Sequence, residues 1–202
     1  MKGLNLTVKK GEFVSIRGKS GSGKTTLLKI IGMLEAPDQG EVKILGRSIH
    51  TLSDDEKSEM RVQNIGFIFQ FFNLIPSLTV LENIELPQAL AGIKKPDRQR
   101  RALKLLEYFG LTNLSKRFPD TLSGGEKQRI AIIRALANNP KIILADEPTS
   151  SIDDENTQLV MEILNKINKE WKVTIILTTT DLYEKLPTTR DYLLKEGRLH
   201  KI

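Results

Sequence analysis

The sequence predicts an α/β fold: a mostly parallel core sheet, a helical subdomain and a small antiparallel β portion. Three observations carry this. Strand-like and helix-like segments alternate along the chain, the order that builds a parallel sheet from crossover units. Two short runs, 142–145 and 173–177, are apolar almost without interruption, as strands buried on both faces are. The middle of the chain, 71–122, loses the alternation and takes on helical spacing. With 202 residues there is chain enough for one sizeable core, read as a single domain over 1–202 with the helical subdomain at about 71–122.

In chain order, 12–17 reads as a strand entering a glycine-rich turn. A helix is expected over about 23–33, stopped ahead of Pro37. Segments 41–45 and 65–70 read as further strands. Ala102, Leu105, Leu106 and Phe109 recur at helical spacing, and Gly110 ends their helix. Ser123 opens a helix that reaches about Asn138 and is closed by Pro140. Leu159, Ile163, Leu164 and Ile167 mark an amphipathic helix between the two buried strands. Segment 192–202 reads as a hairpin turning at Glu196-Gly197.

Composition excludes several classes. Hydrophobic residues make up 39% and charged residues 28%, which favours a packed core over disorder. There is no cysteine, hence no disulfide framework, thiol nucleophile or cysteine metal site. No apolar run approaches the roughly 18 residues of a membrane helix, and the first ten residues lack the apolar core of a signal peptide. Lys and Arg number 31 against 25 acids, a net charge of +6. That balance suits nucleic acid, an anionic membrane surface or an anionic substrate. The charges are scattered except for Lys94, Lys95, Arg98, Arg100 and Arg101, read as a solvated helix face.

Three segments carry chemistry. Gly18-Lys19-Ser20-Gly21-Ser22-Gly23-Lys24-Thr25 matches the phosphate-binding pattern G-x-x-x-x-G-K-[ST], and it lies where such a loop must, between a strand and a helix. The glycines let successive N–H groups converge on phosphate oxygens, and the helix N-terminus adds a positive end. Lys24 would reach the β- and γ-phosphates and the Thr25 hydroxyl would bind Mg²⁺. Thr26 stands where a dinucleotide fingerprint needs a third glycine, which disfavours that fold. Further on, the apolar strand ends in Asp146-Glu147. Asp146 could hold Mg²⁺ and Glu147 orient or deprotonate a water; read alone, the pair is equally an acidic turn. In Leu122-Ser123-Gly124-Gly125-Glu126, Ser123 and Glu126 form a capping box. The same bare N–H groups and hydroxyl also make an anion site, and both readings stay open.

Together these segments resemble the nucleotide-binding domain of ABC transporters over nearly the whole chain. Residues Leu122-Ser123-Gly124-Gly125-Glu126-Lys127-Gln128-Arg129 look like the family's signature motif. Gln70, closing Phe67-Ile68-Phe69-Gln70, matches its Q-loop, and Ser150-Ser151-Ile152-Asp153 its D-loop. Phe72-Asn73-Leu74-Ile75-Pro76, with Leu81-Glu82-Asn83, is similar to the lipoprotein-release, macrolide-export and antimicrobial-peptide-export subgroup. The resemblance implies a P-loop ATPase that uses ATP and Mg²⁺. ATP would be held by Gly18, Lys19, Ser20, Gly21, Ser22, Gly23, Lys24, Thr25 and Thr26. Glu147, Gln70 and Thr180 would be catalytic, with Thr25, Gln70 and Asp146 around the metal. A second nucleotide-binding domain, most simply in a homodimer, would offer Ser123, Gly124, Gly125 and Asp153 to that ATP in trans. A membrane permease subunit would be the other partner, met by residues 71–76; core packing is the other reading for Phe71 and Phe72. The implied location is cytoplasmic and peripheral on the inner face of the cell membrane, the implied cargo exported, and no nucleic acid is expected.

Two departures from the family pattern carry expectations of their own. Thr180, in Thr179-Thr180-Asp181, stands where the family has a histidine; threonine does not titrate near neutrality. This predicts slow hydrolysis with binding intact, and the competing function of an ATP-dependent dimerisation switch with little turnover. The family's adenine-stacking aromatic would precede the first residue, so the chain is expected to be N-terminally truncated, with Phe13 a core residue. Lys19 replaces a frequent proline and reads as a solvated lysine or as an added cation near the phosphates.

Overall fold

The computed structural model describes residues 3–202. Side chains alternate across each strand, so an apolar run feeds both faces of a sheet at once. β5 (Ile142–Asp146) shows the consequence. Ile143 and Ala145 join one buried cluster, with Phe13, Ile132, Leu136, Leu164 and Ile175. Ile142 and Leu144 join another, with Ile16, Leu27, Leu28, Ile31 and Ile176. Each large side chain so buried contributes about 1.5–3 kcal/mol, and these two layers hold the sheet between helices.

The main sheet has the order β4-β5-β6-β1-β7-β8. It comprises β1 (Phe13–Arg17), β4 (Ile65–Ile68), β5, β6 (Thr174–Thr179), β7 (Arg190–Lys195) and β8 (Arg198–Lys201). Every pairing is parallel except that of β7 with β8. The β7–β8 hairpin turns at Glu196 (φ 52°) and Gly197 (φ 76°), the expected pair of left-handed residues. A separate two-stranded antiparallel sheet joins β2 (Lys43–Ile44) to β3 (Arg47–Ser48). The strand expected over 41–45 is shorter because Leu45 and Gly46, at φ 52° and 81°, already turn the chain back.

α1 (Lys24–Ile31) packs on one face of the sheet, and α5 (Gly124–Ala135) and α6 (Asp154–Trp171) on the other. α1 ends two residues earlier than expected, the chain leaving through Gly32 and left-handed Met33. α3 (Val80–Leu90) and α4 (Lys95–Tyr108) pack with α5 around Ile84, Leu105, Leu106 and Ile130. α2 (Asp54–Asn64) was not foreseen, since only Met60 of it is buried and no apolar stripe marks it. Arg98 and Arg101 do not belong to a solvated face. Arg98 bonds to Glu85 (2.9 Å), and Arg101 ties α4 to Ala137 O and Asn139. No described helix is long and apolar enough to cross a membrane.

Candidate functional site

Parallel pairing brings the carboxyl ends of β4, β5, β6 and β1 to one edge, and each leads into a predicted site segment. Gly18 follows β1. Its N–H donates to Thr179 O (3.2 Å), which fastens the loop to the end of β6. A β-carbon at Gly18 would collide with Ser22 Oγ and Leu194 O, so the loop's root admits only glycine. Gly21 (φ 76°) and Gly23 (φ 100°) are left-handed, which curls residues 20–23 over the start of α1. The first N–H groups of α1 have no intrahelical acceptor. Ser22 Oγ is buried without a hydrogen-bond partner. An anion in the cradle supplies what these groups lack.

Lys24 is 3% exposed and reaches back under the loop. Its Nζ donates to Gly18 O (2.8 Å) and Lys19 O (3.2 Å) and lies 3.2 Å from Glu147 Oε1. The lysine therefore links the loop to the acidic strand end. Glu147 is left-handed at φ 45°, uncommon for a residue with a side chain and the kind of strain that gathers at functional sites. Its N–H is held by Thr178 O (3.1 Å) and Thr178 Oγ1 (3.2 Å). Thr178 Oγ1 donates in turn to Asp146 Oδ1 (2.6 Å). One buried hydroxyl on β6 thus orients both carboxylate residues, and local sequence gave no sign of it.

Thr25, Thr26, Lys19 and Thr180 are exposed and Gln70 is half-buried in the turn after β4. Among the described residues these side chains make no hydrogen bond. Thr25, Asp146 and Gln70 offer hydroxyl, carboxylate and amide oxygens. Such a hard donor set, with a single carboxylate, suits Mg²⁺ shared with phosphates. It is not a cage of three or more acidic or histidine groups, and the described residues contain none.

The signature segment realises its capping reading. Ser123 Oγ accepts from Glu126 N (3.2 Å) and Glu126 Oε2 accepts from Ser123 N (2.8 Å). The Ser123 N–H holds the Glu126 carboxyl below its usual range. Ser123 remains exposed, and no hydrogen bond among the described residues joins it to the phosphate loop of the same chain. Asp153 caps α6, accepting from Asn156 N (2.9 Å), and that N–H is the main cause of its lowered pKa. Asn156 Nδ2 also donates to Asp153, while a β-carbon on Gly125 would overlap the Asn156 amide. The structure therefore brings Gly125 and Asp153 together through Asn156, a residue that sequence reading missed. Gln128, fully buried, donates to Pro148 O (2.6 Å), so α5 is tied to the turn after Glu147.

Phe71 is 70% exposed, which rules out core packing for it, while Phe72 is half-buried. Phe72 and Asn73 are left-handed, and Arg134 donates to both carbonyls. Burial pushes the Arg134 guanidinium down to about 10, so it still carries its charge at neutral pH. Phe13 is fully buried, as expected.

A glycine-rich loop closing a parallel strand onto a helix N-terminus, with an acidic strand end beside it, defines a phosphate-loop nucleotide-binding domain. Comparison with known proteins makes the class specific. The family model described as ABC transporter matches residues 1–150. The ABC transporter ATP-binding protein MJ0796 of Methanocaldococcus jannaschii is 46% identical over 208 residues, covering 100% of this chain and 87% of that protein. The lipoprotein-releasing system ATP-binding protein LolD of Aquifex aeolicus is 46% identical, over 98% of this chain and 88% of its own length. ABC transporter H family member 2 of Dictyostelium discoideum is 43% identical, and this chain spans 40% of its length. A dimeric structure of MJ0796 in a post-hydrolysis state, bound to ADP and Pi, superposes with a TM-score of 0.89 at 45% identity, over 98% of this chain and 88% of that one. This chain belongs to the ABC transporter ATP-binding family and is an ABC ATPase domain.

Proposed function

We propose that this chain is the ATP-hydrolysing subunit of a transporter that exports lipoprotein, peptide or macrolide-like cargo, working as a homodimer on a membrane permease. The observation that carries the catalytic part is the meeting of the glycine cradle, Lys24 and Glu147 at one sheet edge. Backbone N–H groups of 21–25 grip the β- and γ-phosphates, and Lys24 moves from Glu147 to the phosphate oxygens. Glu147, released from that ion pair, takes the proton of the attacking water. Mg²⁺, when bound, neutralises charge on the phosphates; Thr25, Asp146 and Gln70 are the residues that would hold it. Thr180 lines the γ-phosphate from the end of β6.

Ser123 and Gly125 of a second copy close the same ATP, with Asp153 beside them. The exposure of Ser123 supports this, as does the dimeric form of MJ0796. ATP is then part of the interface, and its cleavage loosens the pair. The likeness to LolD supports the export reading and a seat on the cytoplasmic face of the membrane. Exposed Phe71, with the rest of 71–76, faces the permease. A switch with little turnover finds no support among the relatives, one of which is captured after hydrolysis.

A multiple-turnover phosphate-release assay tests the reading. Glu147→Gln is expected to lose roughly 10²–10⁴-fold in kcat while still retaining nucleotide. Unchanged release, or wild-type protein that releases none, contradicts it.

A further inference from the structure

Arg17 is the last residue of β1, directly before the phosphate loop, and it is 5% exposed. A buried guanidinium is rare unless paired. Parallel register sets it beside Thr179 on β6. Its Nη1 donates to Asp181 O (3.1 Å), and its Nη2 lies 3.4 Å from Asp191 Oδ1 on β7. Asp191 Oδ1 also accepts from the hydroxyls of Thr188 (2.9 Å) and Ser15. The next residue, Gly18, donates its N–H to Thr179 O (3.2 Å). The carbonyls on either side of Thr180 are therefore both held from two consecutive residues at the root of the phosphate loop. Thr180 itself is exposed and makes no side-chain hydrogen bond among the described residues. Its place is set by what brackets it.

We propose that Arg17 is a positioning residue for ATP hydrolysis: it straps the 180–181 segment to the phosphate loop, so that Thr180 faces the γ-phosphate. This rests on the hydrolytic reading above and on Thr180 lining the γ-phosphate. An apolar side chain at position 17 would fill the same space without the desolvation cost of a buried ion pair. The charge is there for the two directional bonds it makes, one to the segment after Thr180 and one to β7. Removing it leaves the cradle intact, because Gly18 N–H to Thr179 O does not involve the side chain. The effect belongs in the chemical step, where misplacement of about 1 Å can cost up to about a hundredfold.

Steady-state phosphate release by the whole chain, as a function of ATP concentration, tests this in wild type, Arg17→Met, Arg17→Lys, Thr180→Ala and the double variants. Arg17→Met is expected to lower kcat roughly tenfold to a hundredfold with KM for ATP little changed. Arg17→Lys, which keeps one donor, is expected to recover part of the loss. Thr180→Ala is expected to lower kcat in the wild-type background and to add nothing in the Arg17→Met background. Should Arg17→Met fail to fold, the same cycle is read with Arg17→Lys. Unchanged kcat in the Arg17 variants, a rise in KM alone, or losses that multiply in the double variant overturn the positioning role. Wild-type turnover keeps the two proposals apart: its absence overturns hydrolysis itself, and its presence beside an inert Arg17→Met overturns only the strap.

Discussion

Gly66 and Gly125 both lack room for a β-carbon, for different reasons. At Gly66 an added Cβ would overlap the Ala135 carbonyl, part of the α5 backbone, which cannot swing away. At Gly125 it would overlap the Asn156 amide, a side-chain tip that can move at the loss of its bonds to Asp153. Gly66→Ala is therefore expected to destabilise by about 1–3 kcal/mol, as overpacking does. Gly125→Ala is expected to cost less, about 1 kcal/mol for the displaced hydrogen bonds. Urea unfolding of the two variants checks the order; equal losses or the reverse order contradict it. Gly125 was legible as part of a motif, but its neighbour Asn156 was not, because the contact joins two helices. Arg17 did leave a mark: a lone charge closes an otherwise uncharged buried strand. Its partners Asp181 and Asp191 could be found only from strand register.

Three helices begin with the same device. Ser53 with Glu56, Thr79 with Glu82 and Ser123 with Glu126 form reciprocal capping boxes at the starts of α2, α3 and α5. Each glutamate is held below its usual range: Glu56 and Glu126 chiefly by the backbone N–H of the cap, Glu82 chiefly by the Thr79 hydroxyl. A carboxyl lowered by folding adds stability above its unfolded pKa of about 4.3 and loses it as pH falls through the folded value. The triple variant Glu56→Gln, Glu82→Gln, Glu126→Gln keeps the acceptors and removes the titration. Its melting temperature is expected to fall less than that of wild type between pH 6 and 3; parallel profiles contradict this. Ser123-x-x-Glu126 reads as a cap or an anion site from its motif, whereas Ser53-x-x-Glu56 has only the bare spacing. The second box opens a helix with one buried side chain, so no apolar periodicity drew attention to it. Thr79-x-x-Glu82 opens α3 inside a stretch already read as helical.

Over the whole molecule, the site exists because β1 lies between β6 and β7, distant in sequence from both, and β5 lies between β4 and β6. Buried apolar runs identify β5 and β6, but nothing local fixes the strand order. The phosphate loop was legible from spacing alone and the acidic strand end only in company with it; the 3.2 Å pair between Lys24 and Glu147 needed the sheet. α5 connects the two parts. Ile132 and Leu136 pack on the sheet while Ile130 and Ile133 pack with α3 and α4. Gln128 anchors the helix to Pro148, one residue past Glu147. The signature turn at its start is thus joined to the acidic end of β5, while Ser123 stays exposed. In the proposed homodimer such a turn meets the other copy's nucleotide and passes that contact back to its own Glu147.

Sedimentation of Glu147→Gln at one protein concentration, with and without ATP and Mg²⁺, tests that arrangement most directly. A monomer is expected without nucleotide and, with it, a species of twice the mass holding two ATP. A protein that binds ATP and stays monomeric, with the Ser123 turn intact, contradicts it.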